Sequence, residues 1–476
     1  MIKRPPTTSH QPPATFRILV AALALVAVGC QSAPEPPKPA KRKNVLLITL
    51  DGLRQDHLSA FGYLRPTSPN IDWLAFNGLA FRTVVPAGCS TRVSLTSLLT
   101  SKPYAYTQLE NGLVLKDSNE TLAEAFAAAG YRTAGFVASP ILAAETKFGQ
   151  GFETYNDFAD ANTDYVSADL PIAAAVSHLR ARTADAPPFF LHVHLQEPHP
   201  PWKHGSPWLK TEESSDSFFE ESCAYIPSGD EMALIGPQQK ESLVAKYDGA
   251  LRFADEQIGL LLAELRASGQ MANTIIALTT THGIELLERF SAGHNYNPFD
   301  EVLLTFAIFF DQAQSFKDAI PETIQPRGFD VGTTLMAMAG VEKPAGAQGI
   351  DLIGANQDAP ELAFAHCDDA DVVRGMEYKL IAFDLSPLRT QGRRPPPELT
   401  DGTKLYSLRS DPREQIDASE SNPEELAQLQ SALDAFRAAL GRAPATASGA
   451  QVLKPITRER LRVLGYGIPE EQSKPK

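Results

Sequence analysis

One short stretch of the sequence brings four reactive side chains together. Residues 86–104 read PAGCSTRVSLTSLLTSKPY, in which Cys89, Ser90, Thr91 and Ser94 supply a thiol and three hydroxyls. The apolar residues that follow are spaced like one face of a short helix, so the hydroxyls fall at its start. A hydroxyl there can cap the helix, and a helix start can also bind an anion. The stretch by itself therefore predicts either a helix cap or an anion-binding helix start.

The elements around this stretch place further polar groups at strand ends. Residues 44–50 (NVLLITL) form a continuous apolar run, which is typical of a strand buried on both faces, and Asp51 follows it directly. Buried runs also precede the EPHPP segment with His199 and the THG segment with Thr281 and His282. Ligands of open α/β sheets bind at the carboxyl ends of the strands. We therefore expect Asp51 to lie at a ligand-binding edge.

Strands and helices alternate through most of the chain. Thr121 and Glu124 form a predicted capping box, and residues 247–265 have the pattern of a long amphipathic helix. The alternation predicts an α/β fold with a mostly parallel sheet sandwiched by helices over residues 44–355. A small α+β C-terminal subdomain is predicted at 356–442, with a helix that has Pro423 at its first position, followed by a tail at 443–476.

Composition limits the kinds of partner. The 476 residues carry a net charge of −14, which argues against a nucleic-acid-binding surface. The four cysteines have neither metal-ligand spacing nor the density of a disulfide framework. The composition is that of an ordinary globular protein.

The N-terminus has the features of an export signal. Basic residues precede a short apolar run at 18–28, which ends in AVGC at Cys30. This pattern resembles the lipobox of bacterial lipoproteins, so we expect a signal peptide at 1–29, lipidation of Cys30 and a Pro-rich tether at 30–43. The resemblance implies a cell-envelope protein on the periplasmic face of the outer membrane. An ordinary signal peptide with an incidental Cys30 is the alternative.

Six segments, in order, resemble the sulfatase family of the alkaline-phosphatase superfamily. They are NVLLITLDGLRQDHLSAFGYLRPTSPNIDWLA, NETLAEAFAAAGYRTAGFVASP, FFLHVHLQEPHPPW, YDGALRFADEQIG, THGIELLERFSAGHNYNPFDEVL and KLYSLRSDPRE. The resemblance implies an alkaline-phosphatase-like fold and hydrolysis of sulfate or phosphate esters. It also implies one divalent cation (calcium, magnesium, manganese or zinc) and a covalent nucleophile.

Alignment of SLLTS with the family's SLLTG implies that Thr91 is the nucleophile and Ser94 the family's substrate-binding serine. Cys89 is a rival, because sulfatases oxidise a cysteine to formylglycine. The formylglycine motif needs Pro or Ala two residues later and Arg four residues later, where this chain has Thr91 and Val93. A threonine needs an activating group such as a metal ion, and its chemistry favours phosphate mono- or diesters.

The resemblance also implies roles for three histidines. His199 and His294 match catalytic and substrate-contacting positions, and His282 joins Asp51 and Thr91 as a metal ligand. The family's metal-binding aspartate before the histidine is replaced here by Thr281, a weaker donor for a hard cation. Three further positions bear on the site: Glu285 is expected to support it indirectly, Ser101 replaces a family glycine, and Thr107 replaces a loop histidine.

The sequence is compatible with two functions. The first is a lipid-anchored, metal-dependent hydrolase that acts on a sulfated or phosphorylated small molecule or glycan. The second is a catalytically impaired pseudo-sulfatase that binds an anionic ligand without turnover, since a shared fold does not guarantee a shared function.

Overall fold

The computed structural model describes most of the chain after residue 41. The described residues are 42–104, 107, 109, 113–158, 165–183, 185–209, 224–225, 235–289, 291–294, 297–314, 324–354, 360–390, 399–440 and 457. The predicted signal peptide, Cys30, nearly all of the tether and all of the tail except Thr457 lie outside them. Within this part of the chain, no helix has both the length and the apolar character needed to cross a bilayer.

Strands and helices are numbered in chain order. The strands are β1 (Asn44–Asp51), β2 (Leu79–Val84), β3 (Arg132–Val137), β4 (Thr154–Asn156), β5 (Phe189–Pro198), β6 (Ala224–Tyr225), β7 (Thr274–Thr280), β8 (Glu285–Leu286), β9 (Ala292–Gly293), β10 (Thr305–Asp311), β11 (Ala363–Cys367), β12 (Ala370–Arg374), β13 (Tyr378–Phe383) and β14 (Gly402–Ser407). The helices are α1 (Pro69–Asn77), α2 (Thr91–Thr100), α3 (Leu122–Ala128), α4 (Asp169–Arg180), α5 (Pro237–Ala267), α6 (Asp300–Leu303), α7 (Asp330–Met338), α8 (Ser386–Thr390) and α9 (Pro423–Leu440).

The main sheet has seven strands in the order β2-β10-β7-β1-β5-β3-β4. β1 lies near its centre and pairs in parallel with β7 on one side and β5 on the other. In this sheet, β10 runs antiparallel to both of its neighbours, β2 and β7. This mostly parallel topology confirms the predicted α/β class.

Two apolar layers cover the faces of this sheet. Alternate residues of β1 point to opposite sides, so Val45 and Leu47 join one core while Leu46 and Ile48 join the other. Helices α2, α3 and α7 contribute to the first core, and α1, α4 and α5 to the second. Because both faces of β1 are buried, its sequence is apolar without alternation, as the sequence pattern predicted.

A second sheet follows, with β11-β12-β13-β14 all antiparallel. Helix α9 packs on one face of it, where Leu429 and Leu433 join the core. The other face shares an apolar cluster with Val85 and Phe299 of the first part of the chain. The predicted boundary at 356 falls within residues 355–359, which lie outside the described residues.

Local predictions agree closely with the observed elements. The capping box between Thr121 and Glu124 is present at the start of α3. The predicted helix at 247–265 is the C-terminal part of α5, which begins earlier, at Pro237. Pro423 begins α9 as predicted.

Candidate active site

Three neighbouring strands deliver polar residues to one edge of the main sheet. β1 ends at Asp51, β5 ends just before His199, and β7 ends just before Thr281. All three strands run in the same direction and pair with one another in the order β7-β1-β5. The backbone N–H of Thr281 still donates to the Leu50 carbonyl at 3.0 Å, which keeps its side chain beside Asp51.

A tight turn after β2 brings the helix α2 to this same edge. Ser90 is the residue before the helix, but its side chain makes no capping hydrogen bond, so capping does not explain this hydroxyl. The Ser94 hydroxyl instead donates to the Gly88 carbonyl at 3.0 Å. The residue after the helix is Ser101, whose φ of 51° is left-handed and is more easily adopted by glycine. Thr91 is the first residue of the helix, and it is buried.

The Thr91 hydroxyl is held between a carboxylate and an imidazole. Thr91 Oγ1 donates to Asp51 Oδ1 at 2.6 Å and lies 3.2 Å from His282 Nε2. Thr281 Oγ1 donates to the same Asp51 oxygen at 2.5 Å. The predicted residues Asp51, Thr91 and His282 are therefore brought together, with Thr281 as a fourth member.

The histidine rings are oriented by backbone carbonyls. His282 Nδ1–H donates to the Gly283 carbonyl at 2.7 Å, and His199 Nδ1–H donates to the Pro200 carbonyl at 2.7 Å. His294 Nδ1–H donates to the Cys89 carbonyl at 3.0 Å. Since a carbonyl only accepts, each Nδ1 carries its proton and each Nε2 faces the site. The two Nε2 atoms of His199 and His294 lie 2.9 Å apart, a contact that is attractive when one proton bridges them.

Burial and charge shift the pKa values of these groups. Burial alone would raise the pKa of Asp51, but its contacts with His194, His282 and His199 outweigh burial and hold that pKa well below its usual range. Burial lowers the pKa of His282 to about 4 and also lowers those of His199 and His294. His282 is therefore neutral near pH 7 and can accept a proton at Nε2.

The donor set does not fit a hard divalent cation. Asp51 is the single carboxylate that contacts Thr91 in the described residues, and two hydroxyls already occupy its Oδ1. No group of three or more His, Cys, Asp or Glu side chains in that part of the chain has the geometry to hold a metal ion. The family generally binds a divalent metal. Calcium and magnesium require several oxygen ligands, which this arrangement does not provide.

The residue after Asp51 is Gly52, which supplies no second carboxylate. Gly52 has a left-handed φ of 71°, and a Cβ at this position would lie 2.4 Å from the Ile284 side chain. A second carboxylate here would therefore require the Ile284 side chain to move. Glu285 does not compensate, because its oxygens accept hydrogen bonds from the backbone of Arg289 and from Ser291 and Asn297.

Two further residues border the site in ways that sequence reasoning did not foresee. The first is His194, whose Nδ1 contacts Thr49 Oγ1 at 2.8 Å. Its Nε2, however, lies 3.7 Å from Asp51 Oδ2. The second is Thr281. The sequence identified it only as the replacement of a metal-binding aspartate, whereas its hydroxyl donates a hydrogen bond to Asp51. The Thr107 hydroxyl donates to the Tyr104 carbonyl, and the Thr107 carbonyl accepts a hydrogen bond from the Asn119 side-chain amide at 2.6 Å.

Cys89 forms a disulfide with Cys367 at the end of β11. Its sulfur is therefore occupied, which contradicts the alternative that Cys89 is oxidised to formylglycine. The two cysteines are 278 residues apart, so their spacing offered no signal that they would pair.

Comparisons with known proteins agree with this fold. The sequence model of the sulfatase family matches residues 43–341, well over half of the chain. The chain belongs to the sulfatase family. The ulvan-active sulfatase of Formosa agariphila is 26% identical over 355 residues, which cover 67% of this chain and 65% of that protein. This sulfatase-family chain thus spans just under two thirds of that relative's length.

Solved structures of family relatives share the fold of this sulfatase-family chain. The phosphonate monoester hydrolase of Agrobacterium radiobacter superposes with a TM-score of 0.64 at 18% identity, covering 84% of this chain and 96% of that one. A protein solved in complex with its substrate, D-glucosamine-2-N,6-O-disulfate, superposes with a TM-score of 0.64 at 18% identity, covering 84% and 98%. At this identity the likeness supports the fold alone.

Proposed function

We propose that this protein is a sulfuric-ester hydrolase in which Thr91 is the nucleophile and His282 the general base. The observation that carries the proposal is the buried contact of Thr91 Oγ1 with both Asp51 Oδ1 and His282 Nε2. A hydroxyl becomes a nucleophile when an adjacent base can take its proton. Membership of the sulfatase family supports the reaction class.

In the first half of the reaction, Thr91 Oγ1 attacks the sulfur of a sulfate monoester. The Thr91 hydroxyl turns from Asp51 Oδ1 to His282 Nε2, 3.2 Å from Thr91 Oγ1, and transfers its proton there. The bond between sulfur and the ester oxygen breaks, and the leaving alcohol takes a proton from the His199–His294 pair. Burial disfavours a proton on this pair in the free protein, but the negative charge of the bound ester favours it. Asp51 orients the Thr91 hydroxyl and balances the charge that forms on His282. The product of this half is a sulfated threonine.

In the second half, water attacks the sulfur of the sulfated threonine. The water proton passes to the His199–His294 pair, and His282 returns its proton to Thr91 Oγ1. The net reaction converts a sulfate ester and water into an alcohol and hydrogen sulfate, and it restores all four side chains. No step of this mechanism is routed through a metal ion.

For the substrate we propose a sulfated small molecule or glycan. The names of two relatives support this class, since one is an ulvan-active sulfatase and one was solved with a disulfated glucosamine. Phosphate or phosphonate monoesters are a second candidate. The threonine nucleophile favours them, because a formylglycine can release sulfate by elimination and a threonine cannot, and one structural neighbour is a phosphonate monoester hydrolase.

We also propose that the protein is exported and anchored to the bacterial cell envelope through a lipid on Cys30. The AVGC sequence at Cys30 supports this location. The Cys89–Cys367 disulfide is compatible with it, because structural disulfides persist in oxidising compartments. Mass spectrometry of the mature protein would detect the lipidated N-terminal cysteine, and an unmodified mature N-terminus would contradict the anchor.

Substitutions at Thr91 test the nucleophile. We expect Thr91→Ala to lower turnover of an aryl sulfate at least about 10³-fold, and Thr91→Ser to retain part of it, because only the former removes the hydroxyl. Thr100→Ala is a matched control, since Thr100 is buried on the same helix and its hydroxyl donates only to the Thr96 carbonyl. The same assay with phosphate and phosphonate monoesters ranks the candidate substrates.

The result that contradicts the proposal is full activity of Thr91→Ala. An inactive wild type that still binds sulfate or a sulfated sugar would instead favour the alternative of a pseudo-sulfatase, for which the comparisons offer no support.

A further inference from the structure

The Cys89–Cys367 disulfide joins the turn before Thr91 to the C-terminal sheet. The Cα atoms of the two cysteines are 5.1 Å apart. Next to the disulfide, the backbone N–H of His366 donates to the Ala87 carbonyl at 2.8 Å, and Gly88 forms an isolated β-bridge with His366. The turn therefore has one covalent attachment to β11 and one hydrogen-bonded attachment beside it.

The two backbones are in direct contact at this point. A Cβ added at Gly88 would lie 2.1 Å from the His366 carbonyl oxygen, so Gly88 allows β11 to approach the turn. Both cysteines are buried in an apolar cluster that includes Val372 and Phe299. Apolar packing is not directional, and a β-bridge can shift in register, whereas a disulfide fixes the separation of its two residues.

The turn before Thr91, which the disulfide joins to β11, makes hydrogen bonds to two parts of the site. The Cys89 carbonyl accepts the hydrogen bond from His294 Nδ1–H at 3.0 Å and so fixes the orientation of that ring. The Gly88 carbonyl accepts a hydrogen bond from the Ser94 hydroxyl. Ser94 lies near the start of helix α2, whose first residue is Thr91. A displacement of the turn would therefore move His294 and the Thr91 hydroxyl away from His282.

We propose that Cys89 and Cys367 are positioning residues, and that their disulfide holds His294 and the Thr91 nucleophile in reactive geometry. This inference rests on the proposed function. A misplacement of about 1 Å at a reacting group can lower a rate about 10²-fold. We therefore expect loss of the disulfide to lower kcat about 10- to 100-fold while KM changes less than about threefold, because the disulfide does not itself contact substrate.

The test compares Cys89→Ala, Cys367→Ala and the double variant below their melting temperatures. Each single variant should lose as much kcat as the double variant, because breaking either end breaks the same bond. Val372→Ala is the matched control, since it opens a cavity in the same apolar cluster without touching a covalent link. It should lower the melting temperature and leave kcat unchanged. Peptide mapping of the non-reduced wild type should find the two cysteines joined.

Three results would overturn the proposal: unlinked cysteines in the native protein, unchanged kcat in the double variant, or an equal loss of kcat in Val372→Ala. A second measurement does not depend on turnover. The ¹⁵N signals of His294, assigned with His294→Gln, should shift in the double variant and not in Val372→Ala. If the wild type has no activity, this comparison alone decides the positioning role, and an unshifted His294 signal refutes it.

Discussion

Replacing Thr281 by aspartate restores the carboxylate that the family carries beside its histidine. Thr281 Oγ1 lies 2.5 Å from Asp51 Oδ1, and both side chains are buried. In Thr281→Asp the hydrogen bond to Asp51 is lost, and two carboxylates face each other in its place. The variant therefore reports directly on whether a cation is present to bind both.

The expected cost follows from the geometry. Two unit charges about 4 Å apart at an effective dielectric constant of about 20 repel by about 4 kcal/mol. The lost hydrogen bond to a charged acceptor adds about 1.5–3 kcal/mol. Without metal, Thr281→Asp should therefore lower the free energy of unfolding by about 5.5–7 kcal/mol at pH 8. Calcium bound by the new pair should restore about 2.7 kcal/mol when its concentration is 100 times the dissociation constant.

Urea unfolding at pH 8, with a chelator or with millimolar calcium, measures these effects. Thr281→Asn is the matched control, because it has nearly the same shape as the aspartate and carries an amide donor without a charge. It should be destabilised less than Thr281→Asp and should not respond to calcium. The free energy of unfolding of the wild type should also be the same with chelator and with calcium.

A calcium-dependent stability of the wild type would refute the conclusion that its donor set does not fit a hard cation. Equal stability of Thr281→Asp and Thr281→Asn without metal would mean that the two carboxylates do not repel each other. The side-chain geometry on which the conclusion about the donor set rests would then be wrong.

Three further variants probe buried charges, each by urea unfolding. Lys379→Met removes a buried ammonium that contacts Asp300 at 2.8 Å and Glu414 at 2.7 Å. It should lower the free energy of unfolding by about 3–5 kcal/mol, because two buried carboxylates lose their partner. A loss below about 1 kcal/mol would contradict this expectation. Burial raises the pKa of Asp369 to about 7. Between about pH 4 and pH 7 the folded protein therefore keeps a proton on Asp369 that the unfolded chain has lost, and the free energy of unfolding falls as the pH rises through this range. Asp369→Asn should thus be more stable than the wild type above pH 7, by at most about 4 kcal/mol, and a gap that persists below pH 4 would contradict the assignment. Glu285→Gln places an amide NH₂ group opposite side chains and backbone groups that donate to the Glu285 carboxylate. It should lower the free energy of unfolding by about 2–3 kcal/mol and also lower kcat. Unchanged stability would show that these hydrogen bonds contribute little.

Much of the fold was predictable because its signals are local. An apolar run of seven residues predicts a strand buried on both faces, and β1 is that strand with Asp51 at its end. The Thr121–Glu124 capping box depends on residues three positions apart, and Pro423 needs only its own ring to favour a helix start. The resemblance to sulfatases, which rests on several such segments, brought Thr91, His199, His282 and His294 into one predicted site.

The sequence by itself therefore determined the order of strands and helices, the family and the side chains at the strand ends. Only the tertiary structure decided how those side chains are used. Thr281 meets Asp51 across 230 residues, and Cys89 meets Cys367 across 278, so both contacts depend on how distant strands pair. The space beside Gly52 depends on the Ile284 side chain, which lies against Gly52 from another loop. Local patterns carry no information about such distances, because the register of the sheet and the packing of its loops set them.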